Sequence, residues 1–308
     1  MDFSRISNSI DVDALQSKQV TIFGTGGSVG LIGDLTRCGV KRWLLIDPDR
    51  IGAENMARQG HNAGDVGQYK VSAVKAMILG INPSAEVHCL TLDLTTMPEE
   101  EAALLVGGTD LFIAATDSFR AQALVNRLAL IEDVPAVFIG IYAGGLGAEV
   151  VWTDPVHQLP CFRCLCSNRY AAQQQAVQRP GVSLDPSSQG ADIFSVRIPD
   201  AIAGQIVVGL LTRGADNRYG RLMEHLGDRQ FLQVGMSPEF ELNGRDIIRE
   251  KLGIAEGQSH YVAWNTIALA DPDRGALPCP DCDELRVDKF GLLDELVRIN
   301  VVPQKKLT

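Results

Sequence analysis

Five short apolar runs recur along the first half of the chain, and they constrain its fold more than any other feature. The runs are 19–23, 43–46, 87–92, 111–115 and 136–141. Runs that are apolar on both faces are typical of buried parallel strands. Helix-like stretches at 69–80 and 118–132 lie between them. This alternation predicts an α/β fold with a doubly wound, Rossmann-like, mostly parallel sheet.

The second half of the chain is less regular. Further strands are expected at 147–152 and 260–270, with a buried helix at 201–211. Residues 167–192, rich in Pro, Ser and Gln, predict an exposed crossover loop. Residues 213–257 are dense in Arg, Asp and Glu and are expected to form a charged surface insertion. We therefore treat 1–285 as one domain and 286–308 as a C-terminal helix or tail.

The charge balance excludes two classes of partner. The chain has 28 Lys and Arg against 38 Asp and Glu, a net charge of −10. An acidic chain is poorly suited to bind nucleic acid or an anionic membrane.

No basic segment followed by an apolar run opens the sequence, so no signal peptide is expected. The longest uncharged run, 134–148, is shorter than the roughly 20 residues of a spanning helix. We expect a cytoplasmic protein.

A glycine-rich segment, Gly24-Thr-Gly26-Gly27, joins the first predicted strand to a helix. Such glycines let the backbone close on a phosphate that the helix N-terminus then binds, although a tight turn alone would also need them. Asp47 ends the second strand about 20 residues later, a position that suits a ribose hydroxyl pair. Together these features indicate a Rossmann-like nucleotide site, which a dehydrogenase would share.

The charges that follow favour ATP over a nicotinamide cofactor. Arg58 and Lys70 come soon after the predicted ribose site. To bind a dinucleotide, the protein needs to hold only its pyrophosphate, which a glycine loop can do. Attack on a triphosphate needs extra positive charge and a divalent metal. Asp117 follows the fourth strand and offers the hard oxygen that Mg²⁺ prefers. Each charge alone is more often a solvated surface residue, but this combination favours an ATP and Mg²⁺ site.

Two cysteine pairs predict a structural zinc site. Cys161 and Cys164 form one C-x-x-C pair, and Cys279 and Cys282 form another. Four thiolates complete a tetrahedral Zn²⁺ site with no open position for water. The chain has 7 cysteines, and an odd number argues against a disulfide framework. Two unrelated turns or a redox pair are the alternatives. Zinc would hold the C-terminal segment against the middle of the chain.

Seven segments of the chain resemble the E1-like (ThiF/MoeB/HesA) superfamily of ATP-dependent activating enzymes. They are GTGG at 24–27, LLIDPDRI at 44–51, ENMARQ at 54–59, DVGQYK at 65–70, TDSF at 116–119, PCFRC at 160–164 and PCPDC at 278–282. They cover nearly the whole chain in the family's order. Residues 36–39 and 55–58 look similar to the branch that contains the UFM1-activating enzyme.

The resemblance implies an enzyme that adenylates the C-terminal carboxylate of a ubiquitin-like protein ending in glycine. It also implies ATP, Mg²⁺, Zn²⁺, a homodimer, and an E2-like or sulfur-carrier acceptor downstream. By this resemblance Asp47 holds the ribose, Arg58 and Lys70 hold the phosphates, and Asp117 holds magnesium. The same resemblance implies that Gly24, Gly26, Gly27, Asp49, Asn55 and Gln59 line the nucleotide pocket. Arg5 is the candidate for an arginine that enters the partner's site in trans.

The acyl acceptor is the open part of this prediction. Family members that form a thioester or persulfide keep a cysteine after the first zinc pair, but 167–192 contains none. Cys166 is a possible nucleophile, although a small apolar residue beside the zinc site is favoured. Cys38 and Cys89 are expected in the core. We therefore expect an adenylate without a stable thioester. A short peptide substrate, as in microcin-type maturation, and a non-catalytic partner subunit are the alternatives.

Overall fold

An eight-stranded sheet forms the centre of the protein in a computed structural model, which describes residues 1–157, 160–177, 190–237, 245–255, 264–270 and 279–287. Its strands are β1 (Gln19–Phe23), β2 (Arg42–Ile46), β3 (Glu86–Leu90), β4 (Leu111–Ala114), β5 (Ala136–Ile141), β6 (Gly147–Thr153), β7 (Phe231–Gly235) and β8 (Asn265–Leu269). The order is β3-β2-β1-β4-β5-β6-β7-β8. The first five strands run parallel, and β6 to β8 pair antiparallel. The predicted α/β, Rossmann-like fold is confirmed.

Helices cover both faces of the sheet. They are α1 (Val12–Ser17), α2 (Val29–Cys38), α3 (Lys70–Ile81), α4 (Glu99–Val106), α5 (Phe119–Glu132), α6 (Phe162–Leu165), α7 (Ser167–Val177), α8 (Ile193–Leu211), α9 (Arg218–Leu226), α10 (Ile247–Leu252) and α11 (Pro280–Val287). One apolar core joins α2, α3 and α8 to the sheet, and a second joins α4, α5 and α6 to its other face. The inner parallel strands β1, β2, β4 and β5 are mostly buried because both of their faces are covered, whereas β3 at the sheet edge exposes Glu86 and His88.

Helix α8 is the one helix among the described residues that is long and apolar enough to cross a membrane. Half of it is buried inside the protein, where it packs against α2, α9, β5 and β6. A helix that is apolar on most sides is either a core helix or a membrane span, and these contacts are those of a core helix. Its N-terminal half carries two charged residues, Arg197 and Asp200.

The structure differs from the sequence prediction in two segments. Residues 167–177, expected as part of an exposed loop, form α7, because Tyr170 packs against aromatic rings and Arg169 pairs with Glu149. The rest of that prediction, at 178–189, lies outside the described residues. The expected surface insertion at 213–257 is wrong at its centre, where β7 is a mostly buried strand between β6 and β8. The charged residues on either side of this short strand obscured its apolar pattern in the sequence.

The C-terminal predictions are only partly covered. Strand β8 occupies Asn265–Leu269 within the expected 260–270, of which 260–263 lie outside the described residues. Helix α11 includes the second cysteine pair and continues to Val287. Residues 288–308 of the expected helix or tail lie outside the described residues.

Candidate active site

A cavity of about 930 Å³ opens at the carboxyl ends of β1, β2, β4 and β5. The sheet order reverses between β1 and β4, and open α/β sheets bind ligands at such a switch point. All ten residues predicted to bind the nucleotide line this cavity: Gly24, Gly26, Gly27, Asp47, Asp49, Asn55, Arg58, Gln59, Lys70 and Asp117. The fold therefore gathers into one place residues that are spread over almost 100 positions of the sequence.

The glycine loop can be built only with small residues. Gly24 has a φ of +89°, and a Cβ there would lie 2.4 Å from the Ala115 carbonyl oxygen. A Cβ on Gly26 would lie 2.7 Å from Nε2 of Gln59. The Gln59 side chain is thus held against the loop, and its Oε1 is buried with no hydrogen-bond partner among the described residues. A buried acceptor at this position fits a ligand that donates an N–H or hydroxyl group, such as a nucleoside.

Asp47 is fixed by the loops around it. Its Oδ2 accepts hydrogen bonds from the Thr25 backbone N–H at 2.8 Å and the Thr25 hydroxyl at 3.2 Å. Its Oδ1 accepts the Asp49 N–H at 3.0 Å. Oδ2 already accepts two hydrogen bonds, but Oδ1 has a second lone pair that a ribose hydroxyl can still bind. Asp47 therefore supports the glycine loop as well as lining the cavity, a function that its position in the sequence did not indicate.

Lys70 is the first residue of α3 and points its ammonium group at two carboxylates. Its Nζ lies 2.7 Å from Oδ2 of Asp49 and 3.9 Å from Oδ1 of Asp47. The Lys70 residue is buried, whereas the Asp49 carboxylate is largely exposed. A buried ammonium held this way is preorganised to bind a phosphate anion without first moving.

Asn55 and Arg58 belong to the short 3₁₀ helix Ala53–Ala57 and the residue after it. Asn55 is buried, and its Oδ1 accepts the Gly52 N–H at 2.8 Å. Arg58 is half-buried, and its backbone N–H donates to the Asn55 carbonyl at 3.2 Å. Asn55 thus fixes the segment that brings Arg58 to the cavity wall.

Asp117 stands exposed between β4 and α5. The next residue, Ser118, caps α5 by accepting the Ala121 N–H at 3.3 Å, and Gln122 donates to the Thr116 carbonyl at 3.0 Å. Within the described ranges, no ion pair involves Asp117. An exposed, unpaired carboxylate on a fixed turn has the donor chemistry that Mg²⁺ prefers.

Two other candidates lie outside the cavity of this chain. Arg5 is exposed near the N-terminus and does not line the cavity, so its role in trans stays a prediction. Cys166 is 5% exposed and packs in the core with Phe162. Burial, with a smaller contribution from Glu149, raises the pKa of the Cys166 thiol. A buried thiol with a raised pKa is a poor nucleophile, so the structure supports a small apolar residue here.

The far wall of the cavity contains a polar cluster that the motifs missed: Tyr142, Glu149, Arg169 and Gln173. Glu149 is 1% exposed, accepts the Tyr142 hydroxyl at 2.6 Å and pairs with Arg169 of α7. Burial and the nearby Glu149 raise the pKa of Tyr142 well above its usual value, so its hydroxyl stays a donor. Oε1 of Gln173 has no partner in the described part of the chain. The available signal was a single acid inside the apolar run Gly147–Thr153.

The four predicted zinc ligands meet away from this cavity. Their Sγ atoms all lie within 4.8 Å of one another. The Cys161–Cys164 and Cys164–Cys282 sulfur pairs are 3.8 Å apart, and the Cys161–Cys279 pair is 3.6 Å apart. A tetrahedron with metal–sulfur bonds of about 2.3 Å has edges of about 3.8 Å. The donor set and its spacing therefore fit Zn²⁺.

Charged and polar neighbours tie this cysteine cluster to α5. Asp281, between the last two cysteines, is 1% exposed. It accepts hydrogen bonds from Asn126 and Arg163, each at 2.8 Å. Arg127 lies 3.4 Å from Asp281 and also pairs with Glu99. The buried Asp281 carboxylate is thus neutralised by arginines from α5 and α6, and it joins the second cysteine pair to both helices.

Comparisons with known proteins agree with this geometry. A family model described as "ThiF family" matches residues 2–231. "Ubiquitin-like modifier-activating enzyme 5" of Caenorhabditis briggsae is 23% identical over 92% of this chain and 57% of its own length. "SAMP-activating enzyme E1" of Haloferax volcanii is 31% identical over 49% of this chain and 54% of its own length. The chain spans roughly half the length of these relatives.

Solved structures show the same fold. A crystal structure of Escherichia coli MccB with MccA has a TM-score of 0.59 at 17% identity, covering 88% of this chain and 68% of that one. A structure of PaaA has a TM-score of 0.57 at 22% identity, covering 74% of this chain and 71% of that one. At these identities the likeness concerns the fold alone.

Proposed function

The chain belongs to the ThiF family, and we propose that it is an E1-like adenylyltransferase that activates the C-terminal carboxylate of a ubiquitin-like protein. The substrates are ATP and the acyl protein, and the products are an acyl-adenylate and pyrophosphate. Relatives named for activating a ubiquitin-like modifier, for activating SAMP and for adenylylating a sulfur carrier protein support this substrate class.

One observation carries the proposal. Five separate segments bring the glycine loop, Asp47, Arg58, Lys70 and Asp117 to a single cavity at the switch point of the sheet. A dinucleotide needs the loop and Asp47 but neither the additional cations nor the exposed acid. The cavity's residues are therefore better matched to a triphosphate and a divalent cation than to NAD.

The reaction needs positioning and charge neutralisation. A carboxylate oxygen of the acyl protein attacks the α-phosphorus of ATP in line. The bond between the α-phosphorus and the bridging oxygen breaks, and pyrophosphate leaves with that electron pair. Arg58 and Lys70 hold phosphate oxygens, and Asp47 orients the ribose. Asp117 would hold Mg²⁺, which supplies positive charge to the leaving pyrophosphate. No proton needs to be removed from a carboxylate, so no general base is required.

Isotope exchange between pyrophosphate and ATP tests this function. We expect exchange that depends on a small protein ending in Gly-Gly and disappears when its last glycine is removed. Asp117→Asn should abolish exchange, whereas Asp93→Asn, which also changes an acid in the cavity wall, should retain it. Binding of NAD in preference to ATP, or exchange without an acyl substrate, would contradict the proposal.

A short peptide is the second candidate substrate. Structures of E. coli MccB with MccA share the fold, and the polar cluster around Glu149 leaves the far wall of the cavity able to bind uncharged peptide groups. The same exchange assay decides between the two substrates, since a free short peptide would then replace the folded protein. Absence of exchange with both, although ATP binds, would instead indicate a non-catalytic partner subunit.

Three further features belong to the proposal. A structural Zn²⁺ at the four cysteines would hold α11 against α5 and α6. A homodimer would let Arg5 of each chain reach the partner's cavity. An E2-like protein or a sulfur-carrier pathway would accept the acyl group, since the structure supports no nucleophile at Cys166.

A further inference from the structure

Asp200 is a buried acid in the cavity wall to which the proposed reaction assigns no role. It belongs to α8 and lines the cavity together with Gly26, Gly27 and Ser28. The residue is only 5% exposed. Its Oδ2 is buried and has no hydrogen-bond partner among the described residues. A buried polar atom without a partner is costly to the fold, which points to a ligand that completes it.

The carboxyl group of Asp200 meets the N-terminus of α2. The backbone N–H of Leu31, in the first turn of α2, donates a hydrogen bond to Asp200. Ser28 does not cap this helix with its side chain, which donates to the Gly24 carbonyl at 2.7 Å instead. In Rossmann-like folds the helix after the glycine loop binds a phosphate at this end. Asp200 therefore lies where a phosphate of the nucleotide is expected.

An ionised carboxylate and a phosphate repel each other, whereas a protonated carboxyl group can donate a hydrogen bond to a phosphate oxygen. Burial raises the pKa of Asp200 to about 7, against the smaller lowering effects of Arg197 and the Leu31 N–H. A nearby phosphate would raise this pKa further because it adds negative charge.

Few charged groups face Asp200. Arg197 on its own helix and Asp34 on α2 are the two whose fields reach it. Strand β5 has no charged residue, and Glu149 of β6 is already paired with Arg169. The charged side chains of α1 and α9, which also pack against α8, are exposed.

We propose that Asp200 is protonated when ATP binds and that its hydroxyl donates a hydrogen bond to a phosphate oxygen. Asp200 takes this proton from solvent, and no covalent bond of the nucleotide changes. The inference rests on the proposed use of ATP and adds a binding residue to it. ATP binding above neutral pH should then be coupled to proton uptake.

Calorimetry with ATP and Mg²⁺ tests the proposal on the full chain. At about pH 8, titrations in buffers of different ionisation enthalpy give the number of protons taken up. We expect uptake approaching one proton, and a Kd that rises by up to about tenfold per pH unit above neutrality. Asp200→Asn keeps a donor without a titrating proton, so its Kd should stay flat and the uptake should disappear. Asp13→Asn, an exposed acid on α1 that does not affect the pKa of Asp200, should behave like the wild type.

Each outcome decides between the claims. Equal proton uptake and equal pH dependence in wild type and Asp200→Asn would overturn the inference while leaving ATP binding intact. Zero uptake by the wild type at about pH 8 would overturn it without any variant. Failure of the wild type to bind ATP at any pH would instead overturn the proposed function, and this inference with it.

Discussion

Single side chains in the cavity serve the fold and the proposed chemistry together. Asp47 holds the glycine loop through Thr25 and keeps one free acceptor position, on Oδ1, in the cavity. Lys70 pairs with Asp49 and, in the proposed reaction, would bind a phosphate of ATP. Because each side chain has both tasks, its removal should change both the use of ATP and the free energy of unfolding. The two effects can be measured separately.

Lys70→Ala should lower kcat/KM for ATP by on the order of 100-fold, as loss of a single preorganised charge does elsewhere. It should also lower the free energy of unfolding by about 1–3 kcal/mol, since Asp47 keeps its burial but loses a cation 3.9 Å away. Lys75→Ala on the same helix is the matched control, because Lys75 lies outside the cavity and donates to the Val87 carbonyl. Equal kinetic losses in both variants would remove Lys70 from phosphate binding.

Asp200 makes stability depend on pH in a direction opposite to a salt-bridged acid. Its folded pKa of about 7 lies above that of an unfolded aspartate, so its contribution is complete below about pH 4 and is lost as pH rises through 7. The loss is on the order of 4 kcal/mol. Raising the pH from about 5 to 8 should therefore lower the Tm of the wild type more than the Tm of Asp200→Asn. Parallel curves would show that Asp200 titrates normally.

Among the secondary-structure elements, α5 connects the cavity to the four-cysteine cluster. It begins at the turn that presents Asp117, and Asn126 in its second half contacts the cysteine cluster through Asp281. Helix α11 is held to the domain largely through this cluster and the Arg127 ion pairs. We therefore expect loss of the proposed zinc to affect the order of α11 strongly and the nucleotide site only weakly.

Cys279→Ser should remove the metal, and metal analysis should show about one zinc per wild-type chain and none in the variant. We expect a lower Tm and faster proteolysis near α11, with a much smaller change in Kd for ATP. Cys89→Ser is the control, since Cys89 is a half-buried cysteine of β3 that is not part of the four-cysteine cluster. A metal-free wild type that is indifferent to chelators would contradict the structural role.

Strong local patterns predicted the elements, and long-range contacts decided what the patterns missed. The apolar runs at β1, β2, β4 and β5 lie within one residue of their expected bounds, because a strand buried on both faces must be apolar throughout. The polar residues of α7 gave no such pattern, and its position depends on the Arg169–Glu149 pair, which joins β6 to a distant segment. Asp200 was missed for the same reason, since only the fold brings α8 to the glycine loop.

At the scale of the whole molecule, the central question is whether one chain contains a complete site. The cavity of the single chain includes every predicted nucleotide-binding residue but not Arg5. In the proposed homodimer each site takes Arg5 from its partner. Mixing inactive Arg5→Ala chains with inactive Asp117→Ala chains should then restore part of the activity, because one hybrid site is intact. No recovery after verified subunit exchange would remove Arg5 from this role.

Formation of an acyl-adenylate is the central claim, and intact mass spectrometry of the acyl substrate tests it most directly. The chain is incubated with ATP, Mg²⁺ and a small protein ending in Gly-Gly, then quenched in acid. We predict that the small protein gains one AMP less one water, that pyrophosphate is released in equal amount, and that no cysteine of the enzyme acquires the small protein. Appearance of ADP, or an unmodified substrate while ATP is bound, would contradict the account.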